Sequence, residues 1–131
     1  NEMGDNLPIV DLGTGRTATA IYTGGYSTCA ILDNASVKCW GNNYNGGLGL
    51  GDTNHRGDAA NEMGDNLTIV DLGTGRTATA ISLGNGHTCA MLDNGFVKCW
   101  GYNNGRLGQG NTNSIGKNAN EMGDNLPAID L

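Results

Sequence analysis

The chain repeats itself. Residues 1–40 align without a gap on residues 61–100 and are identical at 31 of 40 positions, and Asp11–Ala20 returns unchanged as Asp71–Ala80. The opening phrase Asn1-Glu-Met-Gly-Asp-Asn-Leu-Pro8 returns a third time as Asn120–Pro127, so the 131 residues end twelve residues into a third copy. A period near sixty makes each copy one supersecondary unit, able to bury its second face only against a neighbour. On the sequence the chain divides into a first repeat at 1–60, a second repeat at 61–119 and an overlap segment at 120–131. Opening on Asn1 without Met, it reads as a mature product or an excised piece.

Within a unit, short runs of strand-forming residues alternate with turn signals, and no apolar period of 3.6 lasts long enough for a helix. Strands are predicted near Ile9–Leu12, Thr17–Tyr22, Thr28–Leu32, Ser36–Gly41 and Leu48–Leu50, with equivalents in the second unit. Leu, Ile, Val and Phe together number only 24. That is a thin core, close to the level at which disorder competes. The clearest element is Thr88–Trp100, where Asp93-Asn94-Gly95 separates two strand-like runs. A three-residue hairpin loop with Gly95 in the left-handed region sets Leu92 opposite Phe96 and Cys89 opposite Cys99. The same register sets Cys29 opposite Cys39, with Ala35 in place of the glycine at a strain of about 1 kcal/mol.

Directly opposed antiparallel residues lie within the range a disulfide accepts, so the spacing pairs Cys29 with Cys39 and Cys89 with Cys99. Each bridge contributes roughly 2–3 kcal/mol in the chain-entropy account. The alternatives are four buried thiols or a zinc site, and the latter fits poorly because nine residues separate the cysteines of each pair. Disulfides imply an oxidising compartment and hence an extracellular or secreted protein.

The stretch His87-Thr-Cys-Ala-Met-Leu-Asp-Asn-Gly-Phe-Val-Lys-Cys-Trp-Gly101, followed by Asn103-Asn-Gly-Arg-Leu-Gly-Gln-Gly110, resembles the repeat of the regulator of chromosome condensation family. The first unit matches through Trp40-Gly41, Asn43, Gly46 and Leu48-Gly-Leu-Gly51, with Ser27 where the second unit has His87. The resemblance implies an all-β fold of four-stranded β-propeller blades: two tandem blades plus the start of a third, too few to close a ring within one chain. It assigns Trp40, Trp100, Leu48 and Leu107 to blade packing.

Thirteen acidic against seven basic side chains give a net charge of −6. The chain lacks the basic stripe that phosphate neutralisation requires, so nucleic acid is excluded as a partner. No apolar run reaches the length of a membrane span. No cofactor, metal or catalytic residue is expected: His55 and His87 sit in unlike contexts, and no serine is placed by motif as a nucleophile. The recurring Glu2/Asp5, Glu62/Asp65 and Glu121/Asp124 read as solvated acidic turns rather than a calcium loop. Arg56-Gly57-Asp58 spells an adhesion tripeptide that the second unit does not repeat. Asn34-Ala-Ser36 and Asn66-Leu-Thr68 fit the N-glycosylation acceptor pattern.

The preferred expectation is a non-catalytic extracellular structural protein that binds other copies of itself head to tail, as a filament or ring. The alternative is a protein-binding propeller module, or a fragment of a longer propeller, that recognises a partner through its loops. That second reading singles out Tyr22–Ser27 against Ser82–His87, where the units diverge most.

Overall fold

The computed structural model describes residues 2–131. Six strands form: β1 (Ala18–Gly24), β2 (Ser27–Leu32), β3 (Val37–Gly41), β4 (Ala78–Leu83), β5 (His87–Leu92) and β6 (Val97–Gly101). They make two antiparallel three-stranded sheets, ordered β1-β2-β3 and β4-β5-β6. The fold is all-β and neither sheet closes on itself. Strand residues are largely Ala, Thr, Ile, Val and Cys, and β-branched side chains suit a pleated, half-buried surface.

Turn chemistry sets the register. In the β5–β6 hairpin the Leu92 N–H donates to the Phe96 carbonyl and Gly95 takes a φ of +82°. The pairs Ala90↔Lys98 and Cys89↔Cys99 follow. In β2–β3 the same turn forms with Ala35 at a φ of +65°, and Cys29 faces Cys39.

Two strand expectations are corrected. Ile9–Leu12 has no strand pairing, and Leu48–Leu50 lies in turns. Beyond the expected fourth strand, single antiparallel bridges join Gly41 to Arg56 and Gly101 to Ile115. The cause lies in composition: glycines at 46, 47, 49 and 51 provide no side chains to pack and weaken an extended strand.

The third copy of the opening phrase does not begin another sheet. The Ile129 N–H donates to the Val97 carbonyl of β6, as the Val70 N–H does to Val37 of β3. Residues 61–72 therefore lie along the first sheet and residues 120–131 along the second. Each segment is clamped by a buried lysine. The Lys38 Nζ donates to the carbonyls of Leu12 (3.0 Å) and Gly64 (2.7 Å), and the Lys98 Nζ donates to those of Leu72 (3.1 Å) and Gly123 (2.8 Å). One apolar cluster runs through both sheets, from Cys29, Val37 and Leu48 to Leu92, Trp100 and Leu126.

Candidate functional site

Besides the shared apolar cluster, side chains of the second sheet bond to backbone of the first repeat. The Trp100 Nε1 on β6 and the Thr88 Oγ1 on β5 both donate to the Gly47 carbonyl of the first unit, at 3.0 and 2.8 Å. A side chain at Gly46 would strike the Lys117 nitrogen, so only glycine fits there. Trp100, Leu48 and Leu107 are fully buried. Trp40 is half-buried and borders a shallow recess with His55, Arg56 and Asp58.

Two buried asparagines shape the loops that follow β3 and β6. The Asn43 side chain donates to the carbonyls of Asp52 and Asn54 and accepts from the Leu48 N–H. Asn103 repeats this with Asn111, Asn113 and Leu107. Burial of an amide is tolerated because its polar atoms are partnered. In the sequence neither asparagine stands out beyond the repeat motif that contains it. Their recurrence in a loop, three residues after the tryptophan, was the available signal.

Between these loops and the two strand turns lies a cleft of ≈ 380 Å³ lined by Tyr26, Tyr44, Tyr102, Asn42, Asn45 and Asn85 together with Gly25 and Gly86. All three tyrosines are exposed. The Arg106 guanidinium sits 5.4 Å from the Tyr102 ring centre and donates to Asn104 Oδ1 at 2.7 Å and to the Asn85 carbonyl at 3.3 Å. Tyr44 stacks edge-on against His55 with ring centres 4.5 Å apart, and His55 Nδ1 accepts from the Asn43 N–H. No acidic side chain lines the cleft, although the chain as a whole is acidic. Rigid aromatic faces, amides and an arginine at the rim are the composition of protein-recognition surfaces.

His87 starts β5 beside this cleft, and its buried Nδ1 has no hydrogen-bond partner among the described residues. Burial lowers its pKa, the Arg106 charge adds to that, and a backbone bond at Asn85 opposes it.

The cysteine sulfurs are joined in the register read from the sequence, Cys29–Cys39 at 2.05 Å and Cys89–Cys99 at 2.00 Å. The acidic turns serve the chain itself. The Asp65 carboxylate accepts from the Thr14 N–H and hydroxyl, and Asp124 does the same with Thr74. Those hydroxyl bonds first, then the amide bonds, lower both pKa values. Glu62 accepts from three successive amides, Gly57 to Ala59, and Glu121 accepts from Gly116 to Asn118. Arg56 of the Arg-Gly-Asp tripeptide is ion-paired to Asp52 at 2.7 Å. Among the described residues no three His, Cys, Asp or Glu side chains gather as metal ligands, and no helix is long and apolar enough to cross a membrane. Asn34 and Asn66 are both exposed, Asn34 on the β2–β3 turn and Asn66 in the segment along the first sheet.

Comparison with known proteins places this arrangement. The family model of the regulator of chromosome condensation (RCC1) repeat matches residues 18–46 and again 78–109. Among solved structures, Prp20p from Saccharomyces cerevisiae, studied for its binding to Gsp1p and histones, superposes with a TM-score of 0.62 at 15% identity, covering 93% of this chain and 27% of that one. Human WBSCR16 gives 0.58 at 17%, covering 92% and 27%. A chain of the crystal structure of Kap60 bound to yeast RCC1 (Prp20) gives 0.55 at 22%, covering 75% and 23%. The 131 residues thus span about a quarter of the chains they match. Each matched stretch holds one antiparallel sheet and the start of its asparagine-organised loop, and these two stretches are similar to the repeat of the regulator of chromosome condensation family.

Proposed function

We propose that this chain is a protein-binding propeller segment that captures its partner in the cleft between the two repeats. The observation carrying this reading is the convergence of Tyr26, Tyr44 and Tyr102, one from the first strand turn and two from the long loops, with Arg106 at the rim. Tyr26 lies in the stretch where the two units differ most, as a surface selected for one partner requires. Propellers of the same repeat family have protein partners named for them, Kap60 in one structure and Gsp1p and histones in another, and that supports the class of function. No enzymatic step enters this reading. The paired cysteines support an oxidising compartment, where Asn34 and Asn66 are open to glycan attachment. The self-assembling scaffold expected from the sequence receives less support than partner binding, because the cleft is formed within one chain.

The test is a triple substitution, Tyr26→Ala, Tyr44→Ala and Tyr102→Ala, compared with wild type against a partner isolated from the native source and purified. Truncating clustered aromatic anchors should weaken binding by tenfold or more. Trp100 fluorescence, which reports the packing between repeats, should be unchanged. An affinity within twofold of wild type would place the partner elsewhere.

A further inference from the structure

Four asparagines are followed directly by glycine: Asn45, Asn85, Asn94 and Asn104. The side-chain amide of such an asparagine can close on the next backbone nitrogen, and glycine has no side chain to hinder the approach. Hydrogen bonding tells the four apart. The Gly46 N–H donates to the Asn43 carbonyl at 3.1 Å, the Gly95 N–H to the Leu92 carbonyl at 2.9 Å and the Gly105 N–H to Asn103 Oδ1 at 2.9 Å. The Gly86 N–H has no acceptor among the described residues. The side chains divide in a similar way. Asn94 Oδ1 accepts from the Phe96 N–H and Asn104 Oδ1 from the Arg106 Nε, whereas the Asn85 side chain is unbonded among the described residues. Asn45 precedes a glycine that is buried against the backbone of Gly116 and Lys117.

A second feature favours the Asn85–Gly86 pair. The Arg106 guanidinium donates to the Asn85 carbonyl at 3.3 Å. That carbonyl and the Gly86 nitrogen belong to one peptide group, so the positive charge stabilises the anion left when the Gly86 N–H loses its proton. The turn is also open from either side of a repeat. Asn85 is exposed with the first repeat against its own, and Tyr26, which matches Gly86 in the first repeat, is 87% exposed with the second repeat against its own.

The geometry points to Asn85 as a site of spontaneous deamidation in the folded chain. Base takes the Gly86 amide proton and the nitrogen attacks Asn85 Cγ. The proton returns to the departing side-chain nitrogen, which leaves as ammonia and closes a cyclic imide. Water then opens either carbonyl of the imide, giving aspartate or isoaspartate, and no oxidant or reductant enters. Either product places a carboxylate in a cleft whose lining has none, beside Arg106. Isoaspartate also lengthens the main chain by one carbon and displaces the carbonyl that Arg106 bonds. The site stands whether or not the cleft takes a partner.

The test is to incubate the intact protein in mildly alkaline buffer and map its peptides by mass spectrometry at acidic pH. Asn85 should convert about fivefold faster than Asn45, Asn94 or Asn104, the worth of the hydrogen bond that each of their glycine amides must first break. In the reduced chain unfolded in urea the four should convert within about twofold of one another, because the native bonds that separate them are gone. Arg106→Gln should slow conversion at Asn85 by about threefold, the scale of an exposed charge interaction, without slowing it at Asn45 or Asn94. Equal rates at the four sites in the folded protein overturn the inference, as does a lead for Asn85 that survives unfolding undiminished. An unchanged Asn85 rate in Arg106→Gln overturns the part given to the guanidinium.

Discussion

At the scale of single residues the two repeats are an internal mutagenesis experiment, because the same backbone is built twice with different side chains. Ala35 and Gly95 occupy one turn position, and both adopt positive φ, so the alanine holds a conformation that glycine takes without strain. Ser27 and His87 occupy one strand position. The Ser27 hydroxyl donates to the Gly24 carbonyl at 3.2 Å, whereas the His87 Nδ1 is buried without a partner. The pKa of His87 lies below 6.5 in the folded chain and at its ordinary value in the unfolded one. As pH falls below about 6.5, the unfolded chain takes up the proton first, so stability present above that pH is lost on the way down. His87→Ser places the first unit's residue in the second unit and removes that titration. Urea midpoints at pH 7.5 and pH 5.5 should therefore converge in the variant and differ in the wild type. Equal separation in both proteins would assign the slope to another group. The depressed carboxyls of Asp65 and Asp124 act in a lower window, below their ordinary 3.8, and do not obscure the comparison.

At the scale of elements the sheets depend on residues that sequence spacing does not connect. Lys98 is nearly buried, and its ammonium joins the Leu72 carbonyl before β4 to the Gly123 carbonyl of the closing segment. Lys98→Met keeps the bulk and removes both bonds, at a cost of roughly 2 kcal/mol. Hydrogen exchange should show the Ile129 amide, bonded to Val97, losing protection before the β5–β6 amides do. Uniform loss across the sheet would contradict a clamping role. The hairpins were legible in the sequence because their determinants are local: Asp-Asn-Gly marks the turn, and counting outward from it reaches the cysteine pair. The closing segments were not. A repeat supplies its period but not its phase, and the phase here is set by contacts such as Thr14 to Asp65, fifty-one residues apart. The fourth strand was over-read for a related reason. Leu48-Gly-Leu has an extended pattern, but its amides answer to Asn43 and to turns rather than to a neighbouring strand. The recognition cleft was half visible: the divergence at Tyr22–Ser27 pointed to Tyr26, while Tyr44 and Tyr102 reach it only through the loop geometry that Asn43 and Asn103 impose.

For the whole molecule the deciding contact is between the repeats, where the Gly46–Gly47 backbone meets the Trp100 and Thr88 side chains and the backbone of Gly116 and Lys117. The cleft exists only while that contact holds, since Tyr26 and Tyr44 come from the first repeat and Tyr102 and Asn85 from the second. Gly46 and Gly105 are equivalent loop positions, and both adopt positive φ, at +75° and +99°. Around Gly46 a side chain would meet the backbone of Gly116 and Lys117, within 2.8 Å at three atoms; around Gly105 nothing lies within 4 Å. Gly105→Ala should therefore cost only the strain of the left-handed conformation, about 1 kcal/mol. Gly46→Ala adds a backbone clash that no rotamer relieves, and should cost at least roughly 2 kcal/mol more. The difference between the two variants isolates the inter-repeat contact from the intrinsic cost of alanine. It should also be visible without denaturant. Trp100 donates to the Gly47 carbonyl beside Gly46, so Gly46→Ala should shift its emission to longer wavelength and weaken partner binding, while the stapled hairpins keep their far-ultraviolet circular dichroism. Equal destabilisation by the two alanines, with Trp100 emission unmoved, would mean that the repeats stand independently and that the cleft between them is not a rigid site.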